Sequence, residues 1–202
     1  MKRILKSLAA VAVSAAVFAP VAQAGIINGS FEANIQAAGT WANYANLIGW
    51  GGGPGGIELR NNVAGAAYDG VNYVELDTYQ NSMATQLITT SGVLYNLSFA
   101  YSPRQGVPAS SNGIDVYWNN VLVGSFTGNG SNSGNNWTLE TIQVLGTSPS
   151  SVLQFRAVGT SDSLGGSLDA VSITEVPEPA TLGLLGLGLV GMGWARRRNS
   201  AV

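Results

Sequence analysis

Large apolar side chains recur at every second position through much of the segment 25–176, with small polar residues between them. In 93–101, Tyr95, Leu97, Phe99 and Tyr101 fall on one face and Asn96 and Ser98 on the other, the period of a strand with one face buried. Similar runs occupy 57–60, 72–77, 83–89, 113–118, 121–127, 137–145, 152–158 and 167–174, each bounded by Gly, Asn, Ser or Pro, residues that turn the chain. No helical period competes with them, so the pattern predicts an all-β sandwich or barrel of about nine strands. Asn119 and Asn120 link two of the runs, and because asparagine tolerates positive φ they predict a tight hairpin. The glycine-rich stretches 51–56 and 128–136 offer little to a core and are expected as surface loops.

The pattern changes at both ends. Lys2 and Arg3 precede an apolar stretch, 8–21, that closes on Ala22-Gln23-Ala24, the layout of a secretory signal peptide cleaved before Gly25. At the other end Pro177-Glu178-Pro179 precedes sixteen residues without a charge, 180–195, and then Arg196, Arg197 and Arg198. As a short hydrophobic helix that stretch spans about 24 Å against a hydrocarbon core of about 30 Å, a marginal permanent anchor. The positive-inside rule keeps the arginines cytoplasmic and the domain outside. This tail resembles the PEP-CTERM sorting signal of Gram-negative bacteria, which combines a Pro-Glu-Pro motif, a short Gly/Leu-rich helix and a terminal basic cluster. The resemblance implies processing by a membrane-embedded exosortase, transient anchoring in the inner membrane, and a final place at the cell surface or in an exopolysaccharide matrix. An ordinary tail anchor is the alternative. The expected division is a signal peptide at 1–24, one domain at 25–176 and a sorting signal at 177–202.

Charge sharpens this division. Six of the nine Lys and Arg lie in the end segments, leaving Arg60, Arg104 and Arg156 against ten carboxylates, with no lysine, in the middle. The net charge of −2 for the whole chain conceals this acidic domain. It lacks the basic stripe that a polyphosphate requires, which argues against nucleic acid as a partner. The chain has no His and no Cys, so zinc held by those residues, a thiol nucleophile and a Ser-His-Asp triad are excluded. Without disulfides the exported domain depends on core packing or on a bound ion.

A second resemblance covers nearly the whole middle. Asn28-Gly29-Ser30-Phe31-Glu32, Gly49-Trp50, Asp69-Gly70, Tyr73-Val74-Glu75-Leu76-Asp77, the run 86–101 and Gly165-Gly166-Ser167-Leu168-Asp169-Ala170-Val171-Ser172 look, in that order, like the galactose-binding-like jelly-roll β-sandwiches. The choice-of-anchor families of bacterial surface proteins and a plant cell-wall family opening on the same Asn-Gly-Ser-Phe-Glu share the pattern. The resemblance implies a structural Ca²⁺ between the opening and closing strands, and by motif it points to Glu32 and Asp169 as metal ligands. Calcium takes six to eight oxygens, and a carboxylate from each end would pin the termini together. The alternative is that both residues hydrogen-bond turns.

Glu75 and Asp77 stand two apart in one run, on one face about 6.5–7 Å apart, a separation compatible with an inverting glycosidase but produced by any acidic strand; a solvated acidic face is the expected account. A sugar site would stack aromatic faces on pyranose rings and hydrogen-bond the hydroxyls. Trp41, Tyr44 and Tyr79, near expected loops and strand ends, and Arg104, in the loop 102–106, are the candidate ligand-binding residues, with a structural salt bridge the alternative for Arg104, whereas Trp50 and Trp137 are expected to pack. The reading is a non-catalytic, exosortase-processed matrix or surface protein that binds glycan or exopolysaccharide. A structural or adhesive protein with no sugar site is the alternative, and a glycosidase ranks third.

Overall fold

The computed structural model describes residues 25–147, 149–177 and 186. The expected signal peptide, and all but residue 186 of the expected hydrophobic helix, lie outside them. Twelve strands follow in chain order: β1 Trp41–Tyr44, β2 Asn46–Leu47, β3 Trp50–Gly52, β4 Ile57–Asn61, β5 Asn72–Glu75, β6 Met83–Thr89, β7 Leu94–Ser102, β8 Gly113–Trp118, β9 Val121–Phe126, β10 Thr138–Leu145, β11 Ser150–Val158 and β12 Ser167–Glu175. They build two six-stranded sheets. Sheet A has the order β1-β4-β5-β12-β7-β10 and sheet B the order β2-β3-β6-β11-β8-β9, with every pairing antiparallel.

All nine expected runs are strands. Alternation sends Tyr95, Leu97 and Phe99 of β7 inward against Val116 of β8 and Leu153 and Phe155 of β11. Phe99 meets Phe155 edge-on with ring centroids 5.0 Å apart, a geometry aromatic quadrupoles favour. Trp50, 2 % exposed, joins this core between Phe31 and Phe155. Asn119 and Asn120 have φ of 51° and 64°, and Trp118 pairs with Val121 across them, so the hairpin closes through the left-handed region at both central residues.

Two expectations need correction. The stretch 51–56 is not wholly a loop, because Gly51 and Gly52 continue β3 and pair with Thr85 and Ala84 of β6. Backbone pairing alone makes that strand, and glycine carries no side chain to show a period. The face holding Glu75 and Asp77 is not solvated either: both residues are 0 % exposed. Strands β4 and β5 are buried on both faces, since connections cross over the outer side of sheet A.

The segment 25–40 has no regular structure, yet it is tied down. Phe31 is fully buried, and the Gln86 side chain accepts from Ile27 N–H at 2.8 Å and donates to Ile27 C=O at 2.9 Å. A single amide thus gives this residue the two bonds a neighbouring strand would have supplied.

Candidate functional site

Pairing registers place two lines of side chains on the outer face of sheet A. One line runs Asn43, Glu58, Glu75, Ser167, Ser102 and the other Trp41, Arg60, Tyr73. Glu58 and Glu75 stand directly opposite each other, an arrangement that repels unless a cation intervenes. Arg60 is that cation: its Nε donates to Glu58 and its Nη2 lies 2.8 Å from Glu75 Oε2. Arg104, from the connection after β7, places Nη1 3.0 and 3.1 Å from the two Glu75 oxygens and donates to Ser163 C=O at 3.1 Å. Gly165 N–H donates to Glu75 Oε1 at 2.7 Å. Burial pushes the Glu75 carboxyl up, to about 7, against the pull of both guanidinium groups and of Gly165 N–H. Burial also disfavours the Arg60 cation, but Glu75 and Glu58 more than offset it and its pKa is raised.

Above this cluster lies a cavity of about 210 Å³. Its floor is Glu58, Arg60 and Arg104, its sides carry Trp41 and Tyr79, and Asn43, Val63, Thr78 and Ser163 complete it. Trp41 is 53 % and Tyr79 79 % exposed. The β5–β6 turn that presents Tyr79 is pinned by Asp77, which accepts from Ser161 Oγ and from the N–H groups of Asp162 and Ser163. Tyr73, in the second line, has the Arg60 and Asn135 side chains beside its hydroxyl, whereas Arg60 Nη1 and Asn43 Oδ1 are buried without a hydrogen-bond partner among the described residues. Such groups cost about 1–3 kcal/mol each until something pairs with them.

Three of the four sequence candidates for ligand binding, Trp41, Tyr79 and Arg104, therefore meet around one cavity. Tyr44 is turned away from it: alternation along β1 packs its ring against the core, and its hydroxyl donates to Gln36 Oε1 at 2.9 Å. Glu58, Arg60, Asn43 and Thr78 were not singled out from sequence. The Glu58-Leu59-Arg60 spacing carried a signal, since it puts opposite charges on one face of a short apolar strand.

Glu32 and Asp169 reach the same loop, residues 67–72, from opposite ends of the domain. Glu32 Oε1 accepts from Val71 and Asn72 N–H at 2.8 and 2.6 Å. Asp169 Oδ2 accepts from Tyr68 and Asp69 N–H at 2.8 and 3.0 Å, and Oδ1 from Ala170 N–H. Glu32 also presses on Gly70, whose φ is +72° and where a Cβ would lie 2.5 Å from the carboxyl carbon. Burial pushes the Asp169 carboxyl up, to about 7; its backbone hydrogen bonds oppose the shift, while the Asp69 charge adds to it. Glu32 Oε1 and both Asp169 oxygens thus accept from backbone N–H groups, the turn-bonding arrangement that the sequence offered as the alternative to a metal. Among the described residues no group of three or more acidic side chains gathers at one point.

Residues 175–198 match the family described as the PEP-CTERM protein-sorting motif. No curated protein matches the chain. Among solved structures, a Stig cyclase from Fischerella sp. TAU, in complex with (3Z)-3-(1-methyl-2-pyrrolidinylidene)-3H-indole, is 12% identical with a TM-score of 0.57, covering 77% of this chain and 98% of its own. The K2 cleaved adhesin domain of Lys-gingipain is 14% identical with a TM-score of 0.54, covering 73% and 97%. A family 35 carbohydrate binding module from Clostridium thermocellum is 16% identical over 68% and 99%, at a TM-score of 0.48 too low to support an argument. At such identities likeness speaks for fold alone. The protein is a jelly-roll β-sandwich followed at once by a PEP-CTERM motif, which marks it for export and exosortase-dependent sorting to the cell surface.

Proposed function

We propose that the exported domain, residues 25–176, is a non-catalytic glycan-binding domain that associates with exopolysaccharide at the surface of a Gram-negative bacterium once an exosortase has processed its tail. One observation carries this reading: an exposed tryptophan and an exposed tyrosine flank a floor in which Arg60 Nη1 and Asn43 Oδ1 lack partners among the described residues. Aromatic faces suit the C–H faces of a pyranose, and spare donors and acceptors suit its hydroxyls. Glu58 in the floor is paired with Arg60, and Glu75 does not line the cavity but is fully buried beside it, held by Arg60 and Arg104, which supports binding rather than acid-base chemistry.

The test is a screen of the exported chain against arrayed neutral and acidic polysaccharides. Binding that Trp41→Ala with Tyr79→Ala abolishes is expected. Silence across the array favours the second reading, a structural or adhesive protein, which the exposed apolar residues Val121 and Leu122 of β9 and Leu139 and Leu145 of β10 support. Processing is checked by mass spectrometry of the mature C-terminus, where an intact Val202 would leave only a tail anchor.

We further propose, from the jelly-roll resemblance, a structural Ca²⁺ held by Glu32 and Asp169. An ion bound to the folded state alone at 100 times its dissociation constant adds about 2.7 kcal/mol. The melting temperature should rise with Ca²⁺ and fall with chelator, and Glu32→Gln or Asp169→Asn should remove that dependence. Identical melting in both conditions would return the two residues to a purely hydrogen-bonding role.

A further inference from the structure

The cavity above Arg60 has a neighbour. A second cavity of about 290 Å³ neighbours it, and Asn43 and Tyr79 line both. Its remaining wall is Tyr44, Ala45 and the turn 53–56. Each cavity alone falls below the roughly 300 Å³ at which small-ligand sites begin, and together they fall within that range.

The second wall is held in place rather than left open. Thr78 Oγ1 donates to Gly55 C=O at 2.6 Å, and a Cβ on Gly55 would lie 2.4 Å from that same oxygen. The glycine turn can therefore approach the Tyr79 turn only because residue 55 has no side chain, and the approach fixes the spacing between the two sides of the groove. Asn43, a residue common to both cavities, has a buried Oδ1 without a partner among the described residues.

Charge then selects the ligand class. Among the described residues no charged side chain lines the second cavity. In the first, Arg60 and Arg104 are matched by Glu58 and Glu75, and ten carboxylates against three arginines in 25–176 give the domain a negative field that repels a polyanion.

We infer that the groove is a two-subsite cleft for at least two consecutive units of a neutral polysaccharide, with the Tyr79 ring between the units; the inference rests on the glycan-binding reading. It is tested on the exported chain by titration calorimetry with gluco-, manno-, galacto- and xylo-oligosaccharides of one to six units, with polygalacturonate as the acidic comparator. In the ladder that binds, affinity should climb about tenfold or more from one unit to three and then level off, the worth of one further aromatic face and its hydrogen bonds. Tyr79→Ala should remove the climb, and Trp41→Ala should weaken every length alike; both side chains are exposed, so the variants keep their fold.

Equal affinity for one unit and three would overturn the second subsite while leaving glycan binding intact. Tighter binding of polygalacturonate would overturn the neutral class. Silence in every neutral ladder overturns the proposal, and silence on the polysaccharide array as well overturns the glycan reading with it.

Discussion

The outer faces of the two sheets start from similar sequence patterns and end in different environments. On sheet B, Met83, Thr85, Gln154 and Arg156 stay half-buried, and Leu87 is 66 % exposed. Arg156 lies flat over the Tyr117 ring, 4.0 Å from its centroid, with an acid, Asp115, as its cross-strand neighbour. On sheet A, Arg60 is 2 % exposed and Glu75 0 %, because Arg104, Ser163, Gly165 and Trp137 come in over them from three different connections. Strand chemistry does not decide which face is wet; the loops that cross it do. A face closed in this way can hold charges at fixed positions, and a binding floor needs that fixity.

The largest contrast should come from removing one arginine from each face. Arg60→Leu leaves Glu58 and Glu75 opposite each other in the interior and should cost about 3–5 kcal/mol at pH 8, the usual penalty for a broken buried pair. Arg156→Leu gives up a partly exposed cation–π contact and should cost about 1 kcal/mol or less. Urea unfolding of both variants measures the difference, and equal losses would mean that the cover over sheet A is irrelevant.

Next in size is the loop that Glu32 and Asp169 hold. Gly70→Ala demands a left-handed alanine against the Glu32 carboxyl and should lose about 2 kcal/mol, whereas Gly92→Ala, at a position with open space around it, should be close to neutral.

A smaller effect concerns pH. The folded state holds the Glu75 proton more tightly than the unfolded chain does, from an ordinary 4.5 up to about 7. Its contribution to stability is therefore complete below the unfolded value and is lost as pH rises through the folded one. Glu58 and Arg60 from β4, Tyr73 from its own strand, and Arg104 and Gly165 N–H from the covering connections are the groups that face it. Glu75→Gln should flatten the stability profile between pH 4.5 and 7 relative to wild type, as measured by urea unfolding across that range. The smallest effect is expected at the rim: Trp41→Ala and Tyr79→Ala should change unfolding free energy by no more than about 0.5 kcal/mol, although both residues flank the cavity.

Much of this architecture is legible in the sequence, and the parts that are not share a cause. Period-two alternation exposes β4 to β12 because each carries enough side chains to show a period, and the Asn119-Asn120 turn follows from the φ those residues tolerate. Strands β1 to β3, Trp41–Tyr44, Asn46–Leu47 and Trp50–Gly52, carry Ala, Asn and Gly in place of an apolar-polar alternation and so show no period. The site splits the same way. Trp41, Tyr79 and Arg104 are recognisable as side chains that could meet a sugar, but their meeting depends on which strands become neighbours. Glu75 read as solvated because alternation reports which side of a strand a residue faces and says nothing of what crosses that side.

The position of β12 has a consequence for how the protein leaves the cell. It lies in the middle of sheet A, bonded to β5 on one side and β7 on the other, and Val171 of this strand donates to Gly29 near the start of the domain. Translocation that begins at the N-terminus delivers β12 last of all the strands, and the sorting motif follows directly. Until it arrives, sheet A is two disconnected pieces, β1-β4-β5 and β7-β10, while every strand of sheet B is already across. The strand that closes the sandwich is thus the one tethered to the tail, so tail processing acts on a chain whose last strand has crossed. A nascent chain stalled before residue 167 offers any protease outside the membrane an open sheet.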